Sequence, residues 1–397
     1  MLRLITALAF GVMLSACGGG ADAPAGGAAT VPGVTDSEIL IGSANDLSGP
    51  TALLGKAAVN GARMRFEEAN ADGGVNGRQL RLIVEDTQYQ VPRAIQAANK
   101  LANRDGVFAT LLNMGTPMNN AMMPIFFEQG IPSFFPISGA RSMVEPFHKL
   151  QFTARGIYYD EIRAGARYFI EEKGARTPCV IYQDTDFGQE ILDGARDQLA
   201  KMGMEPAAVS AHKPTETEFT PSILRLRSAG CDLVLMGTVH KDTILIFEAA
   251  RKLGWDGVYW VGTNASYNQA VAEQESGAAE GYSTFCHMGA LYRDDPDLTP
   301  EQADWYDHYV AEFGIEPEYA AMEGYRNAGL LVRALELAGP NLTRESAIAA
   351  MESINDYTDI FGYHISFGPN DHKGVKESIL STVVDGRWKT MAESVSY

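Results

Sequence analysis

Basic residues are scarce in this chain, with 32 Lys and Arg against 50 Asp and Glu and a formal net charge of −18 over 397 residues. Nucleic-acid binding draws its affinity from Lys and Arg neutralising phosphates, so this balance argues against nucleic acid as a partner. Cysteine is scarcer still. After Cys17 there remain Cys179, Cys231 and Cys286, an odd number with no Cys-x-x-Cys and no matching His spacing. That pattern fits neither a metal site nor a disulfide framework. Cys179 and Cys231 each open an apolar run, Val180-Ile181-Tyr182 and Leu233-Val234-Leu235. Buried free thiols are the expectation, with a Cys179–Cys231 bridge the alternative in an oxidising compartment. Catalytic signatures are missing as well: there is no Gly-x-Ser-x-Gly elbow, no Walker loop, no His-Glu-x-x-His and no Gly-x-Gly-x-x-Gly after a strand. The seven histidines are scattered, and His240, in a strand-end loop, is expected to face solvent. Neither an enzyme nor a cofactor or metal is expected.

Long apolar runs are confined to the N-terminus. Arg3 supplies a positive charge, Leu4 to Leu14 an apolar stretch of eleven residues, and Leu14-Ser15-Ala16-Cys17 ends it. Eleven residues are too few to span a bilayer, so residues 1–16 read as a signal peptide. Leu-Ser-Ala-Cys resembles the bacterial lipobox, whose cysteine takes the lipid. Residues 17–36, rich in Gly, Ala and Pro, then form a flexible tether from Cys17. The chain is expected in the periplasm or cell envelope, anchored to the membrane through that lipid.

What is present is an alternation. Ile39-Leu40-Ile41-Gly42 reads as a strand; Val59, Ala62, Phe66 and Ala69 have helical spacing, with Asp72-Gly73-Gly74 as the stop; Gln79 to Glu85 is a strand; Pro92 opens a helix; Val107 to Leu112 is a strand. This predicts a parallel sheet with helices on both faces. After about Thr153 the alternation begins again and runs to Gly262, which predicts a second sheet and hence two lobes. Long helices follow over Glu301–Phe313, Glu318–Leu337 and Arg344–Ile354, with Thr343 as a cap. The end is β-rich, and Asp385-Gly386 marks a hairpin.

The segment from Leu111 to Arg141 carries the functional expectation. Its reading is a strand, then Gly115, Thr116 as N-cap, Pro117 as first helical residue, a helix to about Glu128, and Gly130 as the left-handed stop before the next strand. Ligands of parallel α/β sheets bind at the carboxyl ends of strands, where helix N-termini offer free N–H groups and a positive dipole end. Gly115, Thr116 and Met118 should therefore lie beside Ile137, Ser138 and Gly139 as a cradle for a small, anionic solute. Met114, Met118, Met122 and Met123 read as core packing that reaches partly into this cradle.

Several segments in order resemble one known family: Leu47-Ser48-Gly49-Pro50, Ala69-Asn70-Ala71-Asp72-Gly73-Gly74-Val75-Asn76-Gly77-Arg78, Val84-Glu85-Asp86, Gly130-Ile131-Pro132, Tyr182-Gln183-Asp184 with Phe187-Gly188, and Ala249-Ala250-Arg251-Lys252-Leu253-Gly254. They are similar to the periplasmic solute-binding proteins of the leucine/isoleucine/valine-binding type, which serve ATP-driven importers. The resemblance implies the type I periplasmic binding fold, an α/β architecture of two doubly wound parallel-sheet lobes joined by a three-segment hinge. The lobes are expected to be 37–152 plus 288–359 and 153–287 plus 360–397, with crossovers near Phe152–Gly156, Tyr282–Met288 and Asp359–Tyr363. It also implies a monomer, a small-molecule ligand between the lobes, and an ABC permease in the inner membrane as partner.

In the family a hydroxyl residue at the position of Thr116, with the loop at Ile137–Gly139, holds the ligand carboxylate. Amino-acid binders of the family carry acidic residues where this chain has Tyr158 and Asn264. A buried ammonium with no carboxylate partner is costly, so the expected ligand has a carboxylate or polar head and an apolar or aromatic body. Leu54, Tyr89, Phe187 and Val239 complete the expected site. A register slip of one residue would instead bring Asp160 or Glu161 into the pocket and restore branched-chain amino acids. A ligand sensor of the same fold is the other alternative.

Overall fold

The computed structural model describes residues 31–392 with Ser394 and Val395; the signal peptide, Cys17 and most of the tether lie outside them. The first half builds a five-stranded parallel sheet from β1 (Glu38–Asn45), β2 (Gln79–Asp86), β3 (Ala109–Leu111), β4 (Ser133–Phe134) and β5 (Gln151–Phe152), in the order β2-β1-β3-β4-β5. Between them run α1 (Ala52–Ala71), α2 (Val91–Asn99) and α3 (Thr116–Glu128). The apolar residues of β1 are fully used because both sheet faces are covered. Ile39 and Ile41 face one cluster with α1, while Leu40 and Ala44 face another with α2 and α3.

The second half repeats the plan with α4 (Tyr158–Glu171), β6 (Pro178–Gln183), α5 (Asp186–Lys201), β7 (Val209–His212), α6 (Thr220–Ser228), β8 (Leu233–Gly237), α7 (His240–Lys252), β9 (Tyr259–Val261), α8 (Gln269–Ala272) and β10 (Ser283–Cys286). Its parallel strands lie in the order β7-β6-β8-β9-β10, the same winding as the first sheet.

The chain then returns to the first half with α9 (Pro300–Phe313), α10 (Tyr319–Ala338) and α11 (Arg344–Glu352). It passes a two-stranded ribbon, β11 (Tyr357–Thr358) and β12 (His364–Ile365), and ends as the hairpin β13 (Ile379–Val384) and β14 (Arg387–Ala392) on the second sheet. That hairpin is antiparallel to β10, so the second sheet is mixed at this edge. Helices α1 and α10 touch backbone to backbone. A Cβ on Gly61 would stand 2.0 Å from the Ala321 carbonyl oxygen, and one on Gly324 would stand 2.0 Å from that of Ala58. The chain thus passes between the halves three times, after β5, after β10 and after α11.

Two expectations fail here. Cys179 and Cys231 are joined in a disulfide, not free, while Cys286 is a buried free thiol. The reason is tertiary: β6 and β8 are neighbouring strands, and the segment that leads into β8 carries Cys231, two residues before the strand, to a Cα–Cα distance of 5.9 Å from Cys179. Thr116 is not the N-cap of α3; Gly115 is, with φ +89°, and Thr116 is the first helical residue with Pro117 after it.

Candidate functional site

Both sheets have the 2-1-3-4-5 winding, whose switch point lies between the first and third strands at their carboxyl ends. One cavity lies where these ends of the two sheets meet. The first half contributes Thr51 and Leu54 after β1, Tyr89 after β2, Met114, Gly115 and Thr116 after β3, and Ile137 after β4. Facing them are Tyr158 at the start of α4, Phe187 after β6, Val239 after β8, Ala265 after β9, and Arg155 from the first pass between halves. The cavity volume is about 30 Å³, room for one or two waters in this closed arrangement.

The halves also touch across the mouth. The Arg141 guanidinium binds Glu190 at 2.8 and 3.2 Å, and Asn120 donates to Asp186 at 2.8 Å. The arrangement is a closed one.

Local backbone explains how the cradle is held. Gly115 N–H donates to the Ile137 carbonyl at 3.1 Å, and the Thr116 and Ser138 hydroxyls are 2.8 Å apart, so the loops after β3 and β4 lie side by side as expected. The first turn of α3 leaves free N–H groups beside them. Tyr158 N–H donates to the Gly139 carbonyl at 2.7 Å, and the Tyr158 and Phe187 rings meet edge to face at 5.2 Å.

Eight of the twelve expected residues line the cavity: Leu54, Tyr89, Gly115, Thr116, Ile137, Tyr158, Phe187 and Val239. Four do not. Met118 packs into the core with Met122 and Phe126, its methyl filling the space that a Gly115 side chain would take. Ser138 stands behind Thr116, and Gly139 gives only its backbone to Tyr158. Asn264 is drawn away from the cavity by Glu161, whose carboxylate accepts from the Asn264 backbone N–H at 3.0 Å and from its Nδ2 at 2.9 Å. Glu161 also accepts from the Ser378 hydroxyl and lies outside the cavity wall, as does Asp160. His240 is likewise not solvent-facing; it is buried at the first position of α7.

Arg155 is the main residue that sequence reasoning missed. It is 2% exposed, and it makes a two-pronged pair with the fully buried Glu323 of α10, Nε to Oε1 and Nη2 to Oε2 both at 2.6 Å. Nη1 donates to the Asn264 Oδ1 at 3.2 Å. Burial works against the charge of Arg155, but the Glu323 carboxylate outweighs it and raises the guanidinium above its ordinary value. Met114 reaches the cavity wall as the methionine cluster was expected to do in part, while Thr51 and Ala265 line it without having been expected there. Their only local sign was position after a strand. Further into the second half, Asp242 of α7 is fully buried, and burial pushes its carboxyl up to about 7, offset in part by the hydrogen bond from Gln183.

Two equally wound α/β halves, crossed three times and enclosing a cavity between matching strand ends, define a type I periplasmic solute-binding fold. Residues 38–387 match the family model described as periplasmic binding protein, and the chain belongs to that family. A Leu/Ile/Val-binding protein homolog 2 of Brucella abortus (strain 2308) is 26% identical over 359 residues, 90% of this chain and 92% of that protein. The structure of a fatty acid ABC transporter substrate-binding protein from Thermomonospora curvata aligns with TM-score 0.82 and 22% identity, covering 94% of this chain and 95% of that one. A branched-chain amino acid ABC transporter structure from Thermus thermophilus with bound valine aligns with TM-score 0.81 and 19% identity, covering 91% and 97%. One fold thus carries a fatty-acid protein and a valine complex. The ligand of this chain has to be argued from its own residues.

Proposed function

We propose that this chain captures a small solute with a carboxylate or other polar head and an apolar or aromatic body between its lobes. It hands the closed complex to an ABC permease in the inner membrane and is held at the membrane by a lipid on Cys17. Residues 37–152 with 288–359 form one lobe and 153–287 with 360–397 the other, and the protein acts as a monomer. The observation that carries the reading is the cavity wall itself. Hydroxyls of Thr51 and Thr116 and the phenols of Tyr89 and Tyr158 share it with Leu54, Met114, Ile137, Phe187 and Val239, drawn from both halves. A solute touching both halves stabilises only the closed arrangement, so binding selects it with no bond broken. Hinge closure of this kind is the motion of periplasmic binding proteins as a class.

The names of the relatives favour branched-chain amino acids as a second reading. Against it stands a wall with no acidic side chain for the ammonium. A thermal-shift screen of the purified protein against amino acids, aliphatic acids and aromatic acids tests both, because a ligand that binds only the folded state raises the melting temperature. A shift with acids lacking the amino group is expected. A shift with leucine or valine alone refutes the proposed ligand class. Turning the same fold into a sensor would need a regulator in place of the permease, and capture of the closed complex by permease-containing vesicles separates the two.

A further inference from the structure

We infer that Arg155 takes the carboxylate of the ligand, with Glu323 and Asn264 as its positioning residues, and that the site thereby selects acids without an α-ammonium group. This rests on the reading of the cavity as the solute site. Arg155 is the one charged side chain on the cavity wall among the described residues. Of its five N–H groups, Nε and one on Nη2 are given to Glu323 and one on Nη1 to Asn264. Two remain, with the Tyr158 hydroxyl within their hydrogen-bonding reach. The two-pronged pair fixes the plane of the guanidinium, so its remaining N–H groups, beside the Tyr158 hydroxyl, stand in a set position to donate to a carboxylate.

The acids around the cavity explain the exclusion of an ammonium. Glu323 is turned onto Arg155, and Glu161 onto Asn264 and Ser378. Asp46 is occupied by the Thr51 backbone N–H and hydroxyl, both at 2.8 Å. Asp242 accepts from Gln183 and is not part of the wall. An ammonium in the cavity would therefore lose its water, meet no carboxylate and face a like charge on Arg155.

Matched probes separate charge from shape. 4-Methylpentanoate, its amide and L-leucine share one aliphatic body; 3-phenylpropanoate, its amide and L-phenylalanine share one aromatic body. In calorimetric titration, at least one acid is expected to bind about tenfold or more tightly than its own amide and its own amino acid. Arg155→Gln alone leaves Glu323 as a buried unpaired carboxylate and stands to unfold the chain. The double variant Arg155→Gln/Glu323→Gln keeps a neutral hydrogen-bonded pair, and its folding is checked by circular dichroism. In it the acid-to-amide preference is expected to vanish.

A preference that survives the double substitution overturns the role of Arg155, as does L-leucine bound as tightly as 4-methylpentanoate, or no binding of either acid at millimolar concentration. The cavity reading fails separately: binding that Phe187→Ala leaves unchanged places the solute elsewhere. Binding that Phe187→Ala weakens, but that does not distinguish acid from amide, removes Arg155 alone.

Discussion

Cutting the Cys179–Cys231 bridge should destabilise the second half by an amount set by the loop it closes. The bonded residues are 52 apart in sequence. For a loop of that length the chain-entropy model gives about 14 cal/mol/K lost from the unfolded ensemble, or about 4 kcal/mol at 25 °C. The folded state loses little in return, because both sulfurs are buried and the register of β6 against β8 does not depend on the bond. The assay is urea unfolding of the purified protein with and without a strong reductant, alongside the double variant Cys179→Ala/Cys231→Ala. The reductant should lower the stability of the wild type by about 2–4 kcal/mol and leave that of the double variant unchanged. Persistence of the bond also fits an oxidising compartment, the periplasm of its family. Identical unfolding midpoints with and without reductant, or peptide mapping that finds both cysteines free in protein isolated from the periplasm, would refute the reasoning.

Thr116→Ala removes the hydroxyl paired with Ser138 and should weaken acid binding by about 1 kcal/mol, roughly fivefold in Kd, without a change in melting temperature large enough to signal unfolding; calorimetric titration reads it. Glu190→Gln deprives Arg141 of its partner across the cavity mouth while touching no wall residue, so Kd should rise about two- to fivefold, mainly through faster release in stopped-flow traces. An unchanged release rate would mean that this contact does not hold the halves together. Asp242 has its carboxyl raised to about 7 from 3.8 by burial, so between those values the folded chain holds more protons than the unfolded one and stability falls as pH rises. Asp242→Asn abolishes that loss. Melting temperatures should show the variant gaining on the wild type from pH 5 to pH 8, and a constant gap across that range would contradict the burial argument.

What the sequence made legible follows from how local each cause is. Gly130 ends α3 at φ +65°, and Asp385-Gly386 turns β13 into β14 with both residues at positive φ, because two or three neighbouring residues suffice to specify each. Thr343 caps α11 through a reciprocal bond with Ser346 for the same reason. The parallel sheets were readable from alternation of apolar runs. Their lateral order was not, and the adjacency of β6 and β8 is what brings Cys179 to Cys231. Nor did any local pattern announce Gly61 and Gly324, whose purpose is the approach of α1 to a helix more than 250 residues away.

The same division explains the site. Thr116 could be placed at the cavity from its strand–loop–helix setting, yet its capping role was misread, since Gly115 at φ +89° takes the cap position and shifts each later residue by one. Met118, two residues into the helix, lies under the loop and in the core. Arg155 had no such setting. It sits in a short pass between halves, between Ala154 and Gly156, and taken alone it reads as one more linker charge. Its meaning depends on Glu323, 168 residues away, and Asn264, 109 residues away. Asn264 is best understood from its partners. With Glu161 on one side and Arg155 on the other, an amide can donate to the first and accept from the second, which a carboxylate cannot do. An acid at 264 would place a second negative charge against Glu161, so an asparagine there permits the whole buried chain Glu323–Arg155–Asn264–Glu161 to exist.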